Sequence, residues 1–267
     1  MSLTSKVVLA ELEAMAPLRL AESWDNVGLL VDPHEGEVPC ERLLLTVDLT
    51  WPVFEEAVRQ RSDLIVAYHP VIFRGVQRLR AQAPAERVIV AALRRGVIVY
   101  SPHTALDAVS GGMTDWLAAA LGEGATRPIV PTLEDPAAGQ GRLVELADPL
   151  PLDAAVSSIK AHLGLPHLRL ASASRHVEGA PIRTLAVCPG AGGSVFEKVG
   201  DVDLLLTGEM RHHDVLARAA RGTSVVLCDH TNTERGFLPI FAERLRQRLP
   251  GLEVLVSSAD RDPLEVA

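Results

Sequence analysis

The chain has 267 residues, of which 48% are hydrophobic and only 4% aromatic, so a full core can be built from Val, Leu, Ile and Ala without disulfides. Its formal net charge is −8, which argues against a nucleic-acid-binding protein, because such proteins usually carry a basic face. No run of 18 uninterrupted apolar residues occurs, so no membrane span is expected.

The three cysteines, Cys40, Cys188 and Cys228, are odd in number, widely separated and form no C-x-x-C pair. This pattern is typical of free thiols in a reducing compartment. The N-terminal residues mix charged side chains into an apolar run at helical spacing, unlike a signal peptide. We therefore expect a soluble, cytoplasmic protein.

Helices and strands alternate through the first part of the chain. Thr4 or Ser5 can cap a first helix, which Pro17 would end. Short apolar runs predict buried strands, while Pro52 suits a first helical turn and Gly96 a helix end. The predicted strands are 43–49, 63–68 and 97–100, and the predicted helices are 52–61, 85–95 and 113–121.

Residues 126–142 carry three prolines and two glycines, a composition typical of a linker or hinge. After it we predict strands at 143–146, near 168, and at 184–188, 202–206, 224–228 and 252–256, with helices at 153–163, 210–220 and 233–249. This alternation predicts an α/β protein of two α/β domains, with mostly parallel or mixed sheets flanked by helices. The predicted domains are 1–125 and 126–228, and 229–267 can dock back onto the first.

Polar residues that follow the predicted strands are the candidates for function, because ligands bind at the carboxyl ends of parallel strands. Three of the nine histidines, His69, His103 and His230, stand at such positions. A histidine at a strand end can also be a hydrogen-bonded structural residue. The glycine-rich segment 189–194 also follows a strand, and we interpret it as a tight turn rather than an anion cradle, since it lacks the lysine of a P-loop.

His230 and Glu234 are four residues apart at the predicted start of the last helix, so their side chains would share one side of its first turn. An imidazole and a carboxylate so placed can bind one divalent ion, although Glu234 could also be a simple first-turn acid. His103 and Asp107 have the same spacing, and Asp107 could equally cap a helix or turn. Histidine and carboxylate ligands suit Zn, Fe, Mn, Co or Ni better than Cu(I) or iron–sulfur clusters. Cys228 would face away from His230 and is interpreted as a core residue.

Five segments, in this order, resemble motifs of the Nif-three-like family, also described as dinuclear metal centre proteins or GTP cyclohydrolase 1 type 2 homologues. They are E-S-W-D-N-V-G-L-L (22–30), Y-H-P-V-I-F-R-G (68–75), Y-S-P-H-T-A-L-D-A (100–108), T-G-E-M-R-H-H-D-V-L (207–216) and D-H-T-N-T-E-R-G-F (229–237). The resemblance covers most of the chain, in the short form of the family. It implies a Nif-three-like fold and the metal ligands His69, Asp107, His230 and Glu234.

The resemblance also implies roles for neighbouring residues. Asp107 and Glu234 would bridge two ions and act in catalysis, and the substrate would be lined by Trp24, Asp25, Asn26, Tyr68, His103 and His213. Many bacterial members have a histidine where this chain has Tyr68, which is similar to the eukaryotic-type members. A phenol with a reference pKa of about 10 is a poor ligand at neutral pH, so His103 or a water could take its place. We therefore expect one or two divalent ions per chain.

Two divalent ions can activate water and clamp a phosphate, so the first functional hypothesis is a metal-dependent hydrolase of a nucleotide or other phosphorylated small molecule. GTP cyclohydrolase type 2-like activity is implied by the resemblance alone. The alternative is a non-enzymatic protein for metal binding, metal delivery or interaction. The resemblance further implies a homo-hexamer, a trimer of dimers, and no nucleic acid or membrane partner is expected.

Overall fold

The computed structural model describes residues 3–266, apart from the side chain of Ala85, and divides into two compact units. The first unit holds the residues up to Leu106 and those from Phe237 onward, and the second holds Asp107–Gly236. This division differs from the predicted domain boundaries, because the residues that follow Leu106 pack within the second unit. The described helices include none that is long and apolar enough to cross a membrane.

The first unit is a five-stranded sheet with flanking helices. Its strands are β1 (Gly28–Val31), β2 (Arg42–Thr46), β3 (Leu64–Ala67), β4 (Ile98–Ser101) and β11 (Glu253–Val256), and its helices are α1 (Ser5–Met15), α2 (Trp51–Arg59), α3 (Pro84–Arg95) and α10 (Leu238–Arg248). The strand order is β1-β4-β3-β2-β11. All neighbouring pairs are parallel except β1 with β4, which is antiparallel.

The sequence signals predicted most of these elements. The Thr4 side chain accepts the N–H of Val7 and caps α1, and α3 ends at Gly96 in the left-handed conformation, both as predicted. Strands β3 and β4 are buried throughout, which agrees with their continuous apolar runs. Strand β1 was not predicted, because only four residues form it and they follow no clear alternation.

The second unit is a six-stranded mixed sheet. Its strands are β5 (Gly124–Pro131), β6 (Gly139–Leu150), β7 (Arg169–Ala171), β8 (Ile182–Val187), β9 (Leu204–Thr207) and β10 (Ser224–Leu227), in the order β5-β6-β8-β9-β10-β7. Strands β8, β9 and β10 are parallel. The helices are α4 (His103–Ala108), which begins in the first unit, α5 (Met113–Ala118), α6 (Leu152–Leu163), α7 (Ser174–Val177), α8 (Gly193–Phe196) and α9 (His212–Ala220). The predicted α/β fold class is confirmed.

The interpretation of residues 126–142 as a linker is wrong. Most of this segment belongs to β5 and β6, which pair as an antiparallel hairpin from Gly124↔Leu146 to Pro131↔Gly139. Proline lacks the N–H that an inner strand needs, but β5 lies at the edge of the sheet, where prolines are tolerated. Because an edge strand tolerates prolines, this segment has the composition of a loop although it forms a strand.

Arg142 on β6 organises the region that follows α4. Its guanidinium is 1% exposed and pairs with Asp115, with Nε–Oδ1 and Nη2–Oδ2 distances of 2.6 and 3.0 Å. It also donates to the carbonyls of Ala108 and Val109 at 3.2 and 3.3 Å. The ion pair thus fixes the backbone immediately after Asp107.

Glu56 on α2 anchors the segment that follows β11. Its carboxylate accepts hydrogen bonds from the Ser257 hydroxyl, from both the N–H and the hydroxyl of Ser258, and from the N–H of Ala259. Burial alone would raise its pKa, but these bonds outweigh burial and lower the pKa of Glu56 to about 2. The ionised carboxylate therefore holds the C-terminal segment against the first unit.

We expect Glu56→Gln to lower the free energy of unfolding by about 2 to 3 kcal/mol at pH 7. Because the folded-state pKa lies below the ordinary value of 4.5, the carboxylate's contribution is complete above about pH 5 and disappears as the pH falls toward 2. Urea unfolding between pH 7 and pH 3 should show the two proteins converging. Glu55→Gln, at the exposed neighbouring position, is the matched control; an equal loss in both variants would contradict the assignment.

Candidate metal centre

His69 is positioned by the end of strand β3. Beyond the strand, the N–H groups of Tyr68 and His69 still donate to the carbonyls of Thr46 and Val47, at 2.9 and 3.0 Å. Pro70 follows and cannot continue this ladder. The His69 imidazole is therefore presented at the carboxyl edge of the sheet, while the Tyr68 side chain is buried.

Asp48, just beyond the neighbouring strand β2, orients His69. Its Oδ1 lies 2.8 Å from Nδ1 of His69. A carboxylate on Nδ1 fixes the tautomer in which Nε2 carries a lone pair for a metal. His69 is thus arranged as an Nε2 ligand.

A second carboxylate–imidazole pair lies beside it in the first unit. Nδ1 of His103 is 2.7 Å from Oδ1 of Asp25, and the Thr104 hydroxyl donates to Oδ2 of the same carboxylate. Burial would raise the pKa of Asp25, but the hydrogen bonds from His103 and Thr104 prevail and the pKa lies below its ordinary value. The His103 ring is 5.5 Å from that of His69, centroid to centroid, and His103 has a φ of +27°, which is unusual for a residue other than glycine.

In the second unit, three parallel strands end at one edge. Gly190 follows β8, Glu209 follows β9 and His230 follows β10. The loops are tied together, since Glu209 donates its N–H to the Gly190 carbonyl at 2.9 Å and Gly190 donates to the Thr233 hydroxyl at 2.8 Å. The loops that follow these three parallel strands therefore meet at one edge, the position where ligands bind in parallel sheets.

His230 and Glu234 face one another at this edge. Nε2 of His230 is 3.5 Å from Oε1 of Glu234, and Nδ1 of His230 is 3.6 Å from Oε2 of Glu209. The prediction that these residues open the last helix is wrong: they flank a short 3-10 turn (Thr231–Thr233), and α10 begins only at Leu238. A proline in the first turn of α10 marks the true start.

Gly190 and Gly208 allow the loops that follow β8, β9 and β10 to lie close to one another. A Cβ on Gly190, whose φ is +59°, would lie 2.8 Å from both Nε2 of His230 and Oε1 of Glu234. A Cβ on Gly208 would lie 2.6 Å from the Gly190 carbonyl oxygen. The space in front of the two donor atoms exists because position 190 has no side chain.

His69, His230 and Glu234 form a group that could hold a metal ion, since one ligand atom from each lies within 4.8 Å of the others. Two ligands at about 2.1 Å from an ion, at a tetrahedral angle, are about 3.4 Å apart, close to the 3.5 Å between His230 and Glu234. Two imidazoles and one carboxylate are also the ligands of known catalytic zinc sites. The residues therefore fit a divalent ion. Asp107, the fourth predicted ligand, is buried in α4 and is not a member of this group.

The predicted substrate-lining residues occupy different surroundings. Trp24 is exposed, and Asn26 donates its side-chain N–H to the Ile72 carbonyl at 2.5 Å. His213 is exposed in the first turn of α9, with its ring 5.4 Å from that of His212. Cys228 is buried, in agreement with its interpretation as a core residue.

The sequence indicated no role for Asp48 or Glu209. Asp48 lies at the end of a predicted strand and Glu209 just beyond one, which is the one signal that could have selected them. What the sequence could not show is the partner of each carboxylate, because Asp48 and His69 belong to different strands, as do Glu209 and His230.

Comparison with known proteins gives consistent results over nearly the whole chain. A family model described as Duf34/NIF3 (NGG1p interacting factor 3) matches residues 3–263. NIF3-like protein 1 of Rattus norvegicus is 36% identical, covering 98% of this chain and 92% of the rat protein. NGG1-interacting factor 3 of Saccharomyces cerevisiae is 41% identical, covering 92% and 91%.

Solved structures share the fold at lower identity. A Bacillus cereus protein related to NIF3 has a TM-score of 0.89 and 17% identity over the whole of both chains. Reduced HcgD from Methanocaldococcus jannaschii has a TM-score of 0.80 and 22% identity, covering 97% of this chain and 99% of that one. These similarities confirm the expected Nif-three-like fold.

We expect Gly190→Ala to weaken metal binding at least tenfold, because the new Cβ would fill the space before His230 and Glu234. Gly193→Ala, at the start of α8 three residues further on, is the control, since a Cβ there meets nothing within 4 Å. Competition with a chromogenic chelator measures the affinity, and circular dichroism checks the fold. Equal affinity in the two variants would refute the arrangement.

Asp48→Asn should lower metal affinity about 10- to 100-fold, the usual effect of removing a carboxylate behind a ligating histidine. The side chain keeps its size, so the fold should persist and the loss should come from the orientation of His69. Asp32→Asn, whose carboxylate accepts only a backbone N–H bond from His34 among the described contacts, should bind metal as the wild type does. Isothermal titration with Zn²⁺ or Mn²⁺ distinguishes the two.

Proposed function

The chain belongs to the Duf34/NIF3 family, and on that premise we propose that it is a metal-dependent hydrolase of a nucleotide or other phosphorylated small molecule. The observation that carries this proposal is the group of His69, His230 and Glu234. Three protein ligands leave coordination positions open for water and substrate, as catalytic sites require.

A divalent ion bound there would supply Lewis-acid activation of water and of a phosphoryl oxygen. The protein's own part is to hold and orient. Asp48 and Glu209 face Nδ1 of His69 and His230, which leaves both Nε2 atoms for ligation. Glu234 is 1% exposed, so its carboxylate is kept from competing water. Asp107 is proposed as an additional ligand that would bridge to a second ion, giving one or two ions per chain.

A metal-binding or metal-delivery role is the alternative, and one observation favours it. The side chains of His69 and His230 are 22% and 36% exposed, so bound metal would be open to exchange. Transfer of the ion to an acceptor protein, together with no hydrolysis of any substrate, would support delivery over catalysis.

The assembly and the compartment are proposed from the family resemblance and from the state of the cysteines. The family resemblance supports a homo-hexamer, a trimer of dimers, which light scattering tests. All three cysteines are buried and lie outside any disulfide, and burial raises the pKa of Cys40 and of Cys228 to about 12. Buried cysteines without disulfides are typical of a reducing compartment, which supports a cytoplasmic location.

Glu234→Gln should reduce turnover at least 100-fold in the metal-loaded protein, because a neutral amide is a far weaker ligand than a carboxylate. The assay is release of phosphate or nucleoside across a panel of phosphoesters and nucleotides. Glu197→Gln, an exposed glutamate just after α8, is the control and should keep full activity. The absence of turnover by metal-loaded wild type on every panel member would contradict the hydrolase proposal.

A further inference from the structure

Two aromatic rings face solvent side by side in the first unit. The chain has ten Trp, Tyr and Phe residues, all in the described part, and only Trp24 and Phe73 are exposed, at 58% and 46%. Their ring centroids are 6.0 Å apart, with the planes inclined by 62°. Because the other eight rings are buried or half-buried, the pairing of the two exposed ones points to a surface that receives a ligand.

The two rings are carried by separate loops that are held in place. Trp24 lies between α1 and β1, and Phe73 follows β3. The Asn26 side chain joins the loops through its bond to the Ile72 carbonyl. Asp25, next to Trp24, is fixed by His103 and Thr104. The rings are therefore exposed on an ordered support, which lowers the entropy that a ligand must overcome.

His103 connects this ring pair to the candidate metal ligand. Its imidazole centroid is 6.1 Å from Trp24, 6.4 Å from Phe73 and 5.5 Å from His69, edge-to-face in every case. The positive φ of His103 is the kind of local strain that surrounding contacts must maintain, and such strain concentrates at functional sites. One imidazole thus separates the exposed rings from His69.

We propose that Trp24 and Phe73 form a stacking platform for a planar heteroaromatic ring of the substrate, so that the substrate class is nucleoside phosphates. The proposal rests on the proposed function for the phosphoryl end of the ligand. Because the His103 centroid is 6.1 Å from Trp24 and 5.5 Å from His69, the Trp24 and His69 rings are at most about 12 Å apart, a span that a nucleotide can bridge with its base on the platform and its phosphoryl group near His69. Stacking of a base on an aromatic side chain is worth about 5- to 150-fold in affinity, and it needs no base-specific hydrogen bond.

The test compares two ligands that differ only by the ring. Adenosine 5′-monophosphate and ribose 5-phosphate are titrated calorimetrically into metal-loaded wild type, Trp24→Ala and Phe73→Ala. Trp51→Phe, at a half-buried position on α2, is the control for loss of a tryptophan. Metal content and molecular mass are measured for every protein.

We expect the nucleotide to bind wild type and Trp51→Phe at least tenfold more tightly than ribose 5-phosphate, and this ratio to fall below about three in either platform variant. Ribose 5-phosphate affinity and metal content should stay unchanged. A ratio near one in wild type, or an unchanged ratio in both variants, would overturn the platform. A change of mass in Trp24→Ala with an unchanged ratio would assign the surface to a second copy of the chain instead.

Failure of the proposed function is distinguishable. If the wild type binds neither metal nor ribose 5-phosphate, adenosine and ribose are titrated into metal-free protein, where the platform acts alone. Adenosine binding that is lost in Trp24→Ala would then support the ring site without the metal centre. No adenosine binding would overturn the platform as well.

Discussion

The close approach of the backbone at Gly190 and Gly208 is the constraint on which the placement of His230 and Glu234 in the second unit depends. Three parallel strands, β8, β9 and β10, end at one edge, and their loops can close on one another only if two positions carry no side chain. A Cβ on Gly208 would lie 2.8 Å from the Asp229 carbonyl oxygen and from Cα of His230. The loop that carries His230 is therefore placed by the glycines of its neighbours.

Three histidines of the protein have a carboxylate facing Nδ1 of the imidazole. His69, His103 and His230 each present Nδ1 to a carboxylate, at 2.8, 2.7 and 3.6 Å from Asp48, Asp25 and Glu209 respectively. At the two shorter distances the carboxylate fixes the ring and raises the basicity of the other nitrogen, whereas the 3.6 Å between His230 and Glu209 is too long for a hydrogen bond. His69 and His230 belong to the metal group, while His103 borders the aromatic pair. The same arrangement of carboxylate and imidazole therefore occurs at candidate ligands and at a supporting residue.

The sequence predicted the regular elements well where the spacing of apolar residues agrees with the positions of capping residues, prolines and glycines. Thr4, Pro52 and Gly96 marked helix ends through capping and backbone chemistry that act locally. The hairpin of β5 and β6 was missed because its prolines are tolerated only at a sheet edge, and edge position is a property of the whole sheet.

The same distinction between local and distant contacts applies to the candidate site. The strand-end rule selected His69, His103 and His230, and the four-residue spacing from His230, together with the family resemblance, selected Glu234. The supporting carboxylates could not be paired with their histidines in advance, because Asp48 and His69 are 21 residues apart and meet only when β2 and β3 align. Asp107 remains a predicted ligand that stands outside the group of three.

The most direct test of the metal centre is a crystal structure of zinc-loaded protein with anomalous data collected at the zinc edge. We expect an anomalous peak about 2.0 to 2.2 Å from one donor atom of each of His69, His230 and Glu234, with Nε2 as the ligating atom of both imidazoles. A peak bound elsewhere, or coordination through Nδ1 with Asp48 and Glu209 displaced, would contradict it.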